Sequence, residues 1–249
     1  MRRRRLLAAI ALAGAVAATW ALASGEVPLW TFGGTRLARH EPLPPLGRFP
    51  ITVAAGSTIR FEGDSDTWGS RIGGPDFAYP AIFAKTANAG LDIRNHGRGG
   101  ATAPFEPVSY PAETRPALGV IMFGSNDAAS RGILASRTPI PYEDFRSRMV
   151  RLIRARQAEG SQVLVLAAPP AGGVAMDRRM APYRTIAREA AAATGAHFLD
   201  PMGAYTGHLD RVLAQYDALH LNREAQVLMG EWLARHIRVA ETANVPATR

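Results

Sequence analysis

Ala117-Leu118-Gly119-Val120-Ile121-Met122-Phe123 runs without a polar side chain and breaks at Gly124-Ser125-Asn126-Asp127. A short apolar run closed by a turn is how a strand reads when both of its faces are covered. The same pattern recurs outward in both directions. Upstream, Ser57 to Glu62 alternates and ends in Gly63-Asp64-Ser65, and Leu91 to Asn95 opens into the glycine-rich stretch from Asn95 to Thr102. Downstream, Gln162 to Ala168 is another buried strand, closed by Pro169-Pro170, and His197 to Leu199 is a shorter one.

Helical stretches lie between these strands. Phe77 to Ala89, Met180 to Thr194 and Arg223 to Val239 read as helices. Tyr142 to Glu159 places Phe145, Met149, Leu152 and Ile153 on one face, with Gly160 as its stop. Alternation of this kind predicts an α/β protein: a three-layer α/β/α sandwich on a parallel, flavodoxin-like sheet of about five strands. Ligands of such sheets sit beyond the carboxyl ends of the strands. The loops after the predicted strands therefore share one rim.

Composition narrows the function classes. Apolar residues make up 47% and charged residues 20% of the 249, ordinary values for a chain that buries a sizeable core. There is no cysteine, which excludes disulfides, thiolate nucleophiles and Cys-based zinc sites. The formal charge of +8 is misleading as a whole, because Arg2 to Arg5 supply half of it. The remaining basic residues, all arginine except Lys85, are scattered, whereas a nucleic-acid patch needs clustered charge with interleaved aromatics. No nucleic-acid partner is expected.

Those four arginines precede the uncharged run from Leu6 to Ala23, and Ala21-Leu22-Ala23 before Ser24 has the small-x-small pattern of a cleavage site. Residues 1–23 are therefore read as an export signal, with an uncleaved membrane anchor as the rival. In that rival case the N-terminal segment is the sole membrane contact. Residues 24–50, rich in proline and glycine, read as a linker or an arm over the domain. Residues 51–240 form the domain that carries the chemistry, and 241–249 a fraying tail. The expected location is periplasmic or extracellular.

Three strings hold reactive side chains. Ser65 follows a strand and opens a helix, which exposes its hydroxyl and aims its own N–H toward developing negative charge. Taken alone, Gly63-Asp64-Ser65 also describes a simple capped turn. His220 is the natural base, and Asp217, three residues earlier, can hold the imidazole in the tautomer that leaves Nε2 free. The same Asp could instead cap the helix that begins near Asn222. Asn126 can donate its carboxamide to an oxyanion or close an Asx-turn, while Asp127 fits a loop-holding role. The glycines of the Asn95 to Thr102 loop allow close backbone approach to an anion but lack dinucleotide-binding spacing. His96, His197, His208 and His236 show no metal-ligand spacing, and Trp68, Phe77 and Tyr79 suit either a pocket wall or the core.

Taken together, Gly63-Asp64-Ser65, Asn95 to Thr102, Gly124-Ser125-Asn126-Asp127 and Asp217 to His220 resemble the four motif blocks of the GDSL, or SGNH, hydrolases, in that family's order. The resemblance spans Ile59 to Asn222 and implies the SGNH hydrolase fold. It also implies Ser65 as nucleophile, His220 as base and Asp217 as its orienter. The oxyanion donors it implies are the N–H groups of Ser65 and Gly100 and the side chain of Asn126. One departure stands out. The position after the nucleophile is usually apolar in this family, and here it is Asp66, a carboxylate expected to repel acidic substrates or perturb His220. The reaction expected is ester hydrolysis through an acyl-serine, without metal or organic cofactor, on a small-molecule or carbohydrate ester, with acetyl as the plausible acyl group. The alternatives are an O-acyltransferase, a lipase or thioesterase, and a non-catalytic carbohydrate-binding envelope protein. Ser130 to Pro141 and Ala171 to Met176 are the loops expected to set specificity.

Overall fold

The structure is a computed structural model and describes residue 14 and residues 35–88, 90–110, 115–128, 138–209, 213–214 and 219–240. Asp217, the export segment apart from Gly14, most of the Ser130 to Pro141 loop and the 241–249 tail lie outside these residues.

The strands are β1 (Thr35–Arg36), β2 (Ile51–Ala54), β3 (Thr58–Gly63), β4 (Asp92–Asn95), β5 (Leu118–Met122), β6 (Gln162–Leu166), β7 (His197–Leu199), β8 (Leu213–Ala214) and β9 (Ile237–Ala240). The helices are α1 (Ser65–Trp68), α2 (Tyr79–Ala87), α3 (Tyr142–Ala158), α4 (Val174–Thr194), α5 (Met202–Tyr205) and α6 (Arg223–His236). The central sheet has five strands in the order β4-β3-β5-β6-β7, and every pairing in it is parallel. This is the flavodoxin-like order and the fold class expected from the alternating segments. The order reverses at β3, and the gap between β3 and β5 is the switch point where such sheets bind ligands.

Side-chain alternation divides the core between two layers. Leu118, Val120 and Met122 of β5, with Leu164 and Leu166 of β6, pack on one face against Tyr79, Phe83, Met229 and Leu233 of α2 and α6. Ile121, Val163 and Val165 face the other way, onto Phe145, Met149, Leu152, Met180, Ile186 and Ala187 of α3 and α4. Burial on both sides is what makes these two strands apolar throughout.

The alternation in β3 has a different cause. Ile59 and Phe61 join the first layer, but Arg60 and Glu62 are buried as well. Arg156 of α3 meets Glu62 through two bonds of 2.6 and 3.0 Å, and the Arg60 guanidinium lies 3.4 Å from the Tyr110 ring centre. What reads as a solvent face is a covered ionic network.

Two helix boundaries differ most from the sequence reading. Helix α4 starts at Val174 rather than Met180 and carries Pro182 in its interior. An interior proline forfeits a backbone hydrogen bond. Here Arg184 and Asp177, on either side of it, are ion-paired to each other, and Met176, Met180 and Tyr183 are buried. The last helix ends at His236 instead of Val239, because Ile237 to Ala240 pair in parallel with Ile51 to Ala54. Both segments carry β-branched residues at alternate positions, which suits a half-buried strand. Strand β2 itself was not anticipated.

Candidate active site

Strand β3 delivers Ser65 to the rim. Asp64 ends the strand and caps α1, its Oδ1 accepting the Asp66 N–H at 3.0 Å. Such a cap satisfies one of the donors a helix start leaves open. Ser65 is buried, and its hydroxyl has no hydrogen-bond partner among the described residues. An unsatisfied buried hydroxyl is costly, so its persistence calls for a use.

The loop after β4 lies directly against α1. Asn95 Nδ2 donates to the Thr67 carbonyl at 2.7 Å, while Asn95 Oδ1 accepts the Gly97 N–H at 2.9 Å. The Arg98 N–H reaches the Gly63 carbonyl at 3.1 Å. Gly97 is required here, since a Cβ at that position would overlap the Thr67–Trp68 backbone. The same loop goes on to Gly100.

Gly63 and Met122 are register partners, so the turns after β3 and β5 emerge side by side. The second turn presents Asn126, which is buried. Gly124 adopts φ 129°, a left-handed conformation that any other residue would hold under strain. Asp127 shapes this turn: its Oδ2 accepts the Gly124 N–H at 3.1 Å and its Oδ1 accepts the Ala103 N–H at 3.0 Å. One carboxylate thus ties the Asn126 turn to the segment that follows Gly100. Burial, with the Asp64 carboxylate nearby, pushes the Asp127 carboxyl up to about 7 against the pull of those two N–H groups. Asp64 is also raised, by its own burial, although the Asp66 N–H, Ser125 and the charge of His220 oppose this.

His220 is buried just before α6. Two hydrogen bonds draw its segment to α1. The Leu221 N–H donates to Asp66 Oδ1 at 2.9 Å, bridging 155 positions in the chain. Gln226 Nε2 donates to the Asp66 carbonyl at 3.1 Å, and Gln226 Oε1 accepts the Tyr79 N–H at 2.9 Å. The structure thus gathers Ser65, Gly100, Asn126 and His220 at one rim, while Asp217 lies outside the described residues. Of the two parts offered for Asp66, repelling substrate does not fit its placement. It is buried and bonded to the backbone rather than facing incoming substrate. Gln226 was missed altogether; a glutamine on the apolar face of an amphipathic helix was the only signal.

Other expectations separate. Tyr79 belongs to the core, with its hydroxyl 3.1 Å from Thr67 Oγ1, whereas Trp68 and Phe77 are each 42% exposed. Phe77 carries the Arg223 guanidinium 4.1 Å from its ring centre. Of Ala171 to Met176, the last three residues belong to α4, and the chain from Leu37 to Leu46 crosses the rest. The Ala38 N–H bonds the Ala171 carbonyl at 2.8 Å, and Leu37 bridges Gly172. Within this crossing segment His40 lies 3.4 Å from Asp177 and 3.5 Å from Asp200. Burial lowers its affinity for a proton, but the two carboxylates prevail and raise its pKa to about 8. No sequence pattern announced this cluster. A wide concavity of about 890 Å³ lies elsewhere, lined by Ala55, Asn88, Arg235 and Val239 and by none of Ser65, Gly100, Asn126 and His220.

Comparison with known proteins bears on the fold and the family. An acetylxylan esterase of Geobacillus stearothermophilus, Axe2, superposes with a TM-score of 0.62 at 18% identity, over 74% of this chain and 94% of that one. An α/β hydrolase enzyme from the metagenome of Lake Arreo, Spain, LAE5, gives a TM-score of 0.60 at 20% identity, over 74% of this chain and 96% of that one. At such identities the likeness establishes the shared fold. No curated protein sequence matches the chain. The profile of the GDSL-like Lipase/Acylhydrolase family, however, matches residues 61–228, which takes in all four strings, and on that match the chain belongs to the GDSL-like lipase/acylhydrolases.

Proposed function

We propose that the protein is an exported serine esterase that removes small acyl groups, acetyl foremost, from carbohydrate or small-molecule esters. The observation that carries this reading is the buried hydroxyl of Ser65, unpartnered among the described residues, on a rim where the His220 segment is hydrogen-bonded to the next residue. His220 accepts the hydroxyl proton as Oγ attacks the ester carbonyl carbon. The oxyanion that forms is met by the N–H groups of Ser65 and Gly100 and by the Asn126 amide, donors fixed before the reaction begins. Collapse of this intermediate breaks the bond to the alcohol, which leaves with the proton from His220, and the acyl group stays on Ser65. Water then repeats the sequence and releases the acid. Asp217 holds the imidazole throughout.

Export rests on the basic and apolar character of residues 1–23. The carbohydrate class rests on the exposed aromatic pair Trp68 and Phe77, on the export reading and on the acetylxylan esterase neighbour. Protein lacking residues 1–23 should hydrolyse p-nitrophenyl acetate and release acetate from acetylated xylooligosaccharides, and Ser65→Ala should abolish both. Full turnover by Ser65→Ala would end the assignment. A rate that climbs with acyl chain length would point to a lipase instead.

A further inference from the structure

We propose that Asp66 is a positioning residue, whose carboxylate sets where His220 stands relative to Ser65 by accepting the backbone N–H of Leu221. The inference rests on the reading of Ser65 as nucleophile and His220 as base.

The geometry points to this role because Asp66 is attached to the histidine segment on both sides of the bend into α6. Its side chain takes the N–H of the residue that directly follows His220, at 2.9 Å. Its carbonyl takes the Gln226 amide, from the first turn of α6, at 3.1 Å. Two anchors fix a direction as well as a distance, which one bond cannot do. Both ends are stiff. Asp66 is held from behind by Asp64, through its own N–H at 3.0 Å. Helix α6 is capped by Asn222, whose Oδ1 accepts the Ala225 N–H at 2.8 Å.

Leu221 is fully buried, so its N–H would lack solvent as a substitute acceptor if the carboxylate were removed. Asp66 lies one residue beyond Ser65, and Leu221 one residue beyond His220. The bond therefore links the immediate neighbours of the two reacting side chains. Displacement of a reacting group by about 1 Å can cost on the order of 100-fold in rate. An apolar residue at position 66 could not make this link. The carboxylate that departs from the family pattern thus works by geometry, turned inward, rather than by repelling substrate.

The test compares Asp66→Ala, Asp66→Asn and Asp66→Glu with wild type and Ser65→Ala in p-nitrophenyl acetate hydrolysis, normalised to folded protein by circular dichroism. Asp66→Ala is expected to lower kcat roughly 100-fold with KM within about twofold. Asp66→Asn keeps an acceptor of the same reach and should stay within about threefold of wild type. Asp66→Glu keeps the charge but moves the acceptor by one methylene, and should lose about tenfold. Wild-type kcat in Asp66→Ala, with Ser65→Ala inactive, overturns the proposal alone. An active Ser65→Ala overturns the underlying reading instead. Should Asp66→Ala fail to fold, the other two variants decide: Asn above Glu sustains the proposal, and Glu equal to or above Asn overturns it.

Discussion

The two flanks of the rim are fastened by the same kind of part, a buried carboxylate reaching a distant stretch of chain, but they grip different things. Beside Ser65, Asp66 and Asp127 accept backbone N–H groups, of Leu221 in one case and of Gly124 and Ala103 in the other. Beyond β6 and β7, Asp177 and Asp200 hold the His40 imidazole of the crossing segment, and Asp200 also takes the Leu43 N–H at 3.0 Å. A peptide N–H does not titrate, whereas an imidazole does. On the Ser65 flank the raised group is the holding carboxyl of Asp127, while on the far flank it is the imidazole of His40 being held. Their pH windows consequently differ.

The largest effect expected is on the far flank. Arg184 is buried and serves Asp177 together with the carbonyls of Ala168 and Pro169. Arg184→Met should destabilise the fold by about 3–5 kcal/mol, as expected when one partner of a buried pair is removed, measured by urea unfolding. A loss below about 1 kcal/mol would show the far flank to be ornamental.

Next comes Asp127. A carboxyl raised to about 7 in the fold binds its proton more tightly there than at its ordinary value of 3.8 when unfolded. It favours folding fully below about pH 4, and that contribution is lost as pH rises through about 7. The shift corresponds to on the order of 4 kcal/mol. Unfolding free energies of wild type and Asp127→Asn should therefore differ in slope between pH 4 and 7, the variant being flatter. Parallel curves would show that burial does not raise the Asp127 carboxyl.

A change in barrier without a change in stability is predicted for Asn126→Ala. If its amide donates to the oxyanion, kcat for p-nitrophenyl acetate should fall by 10²–10³, or about 2.7–4 kcal/mol, at unaltered unfolding midpoint. A fall in stability with kcat preserved would make Asn126 a turn residue only.

The smallest effect belongs to His40. Its pKa, about 8 in the fold against the ordinary 6.5, means that its contribution is full below about pH 6.5 and disappears as pH rises through 8. Discounted for solvent screening of this partly exposed imidazole, the shift amounts to about 1 kcal/mol. Wild type should lose that much stability between pH 6.5 and 8.5 relative to His40→Gln. Equal curves would mean that Asp177 and Asp200 do not grip a charged imidazole.

The parts of this protein that were legible in the sequence are those with a local cause. Seven apolar residues from Ala117 to Phe123 read as a doubly covered strand because hydrogen-bonded backbone and apolar side chains at every position suit nothing else so short. Residues 142–159 read as a helix from the spacing of Phe145, Met149, Leu152 and Ile153, and all but the last of them form one. Ser65, Asn126 and His220 stood out because few side chains can serve as nucleophile, oxyanion donor and base. The β2–β9 pair escaped notice because a short strand needs a partner to show itself, and its partner is almost two hundred positions away.

The sequence by itself thus determined the order of the five central strands and the four long helices, since periodicity and turn chemistry act over a few residues. Only the tertiary structure decided that the carboxylate after Ser65 turns inward to Leu221, and that His40 lies between Asp177 and Asp200. Each of these depends on which faces meet after the sheet has formed. A side chain carries no local mark of a partner that packing alone brings within 3 or 4 Å.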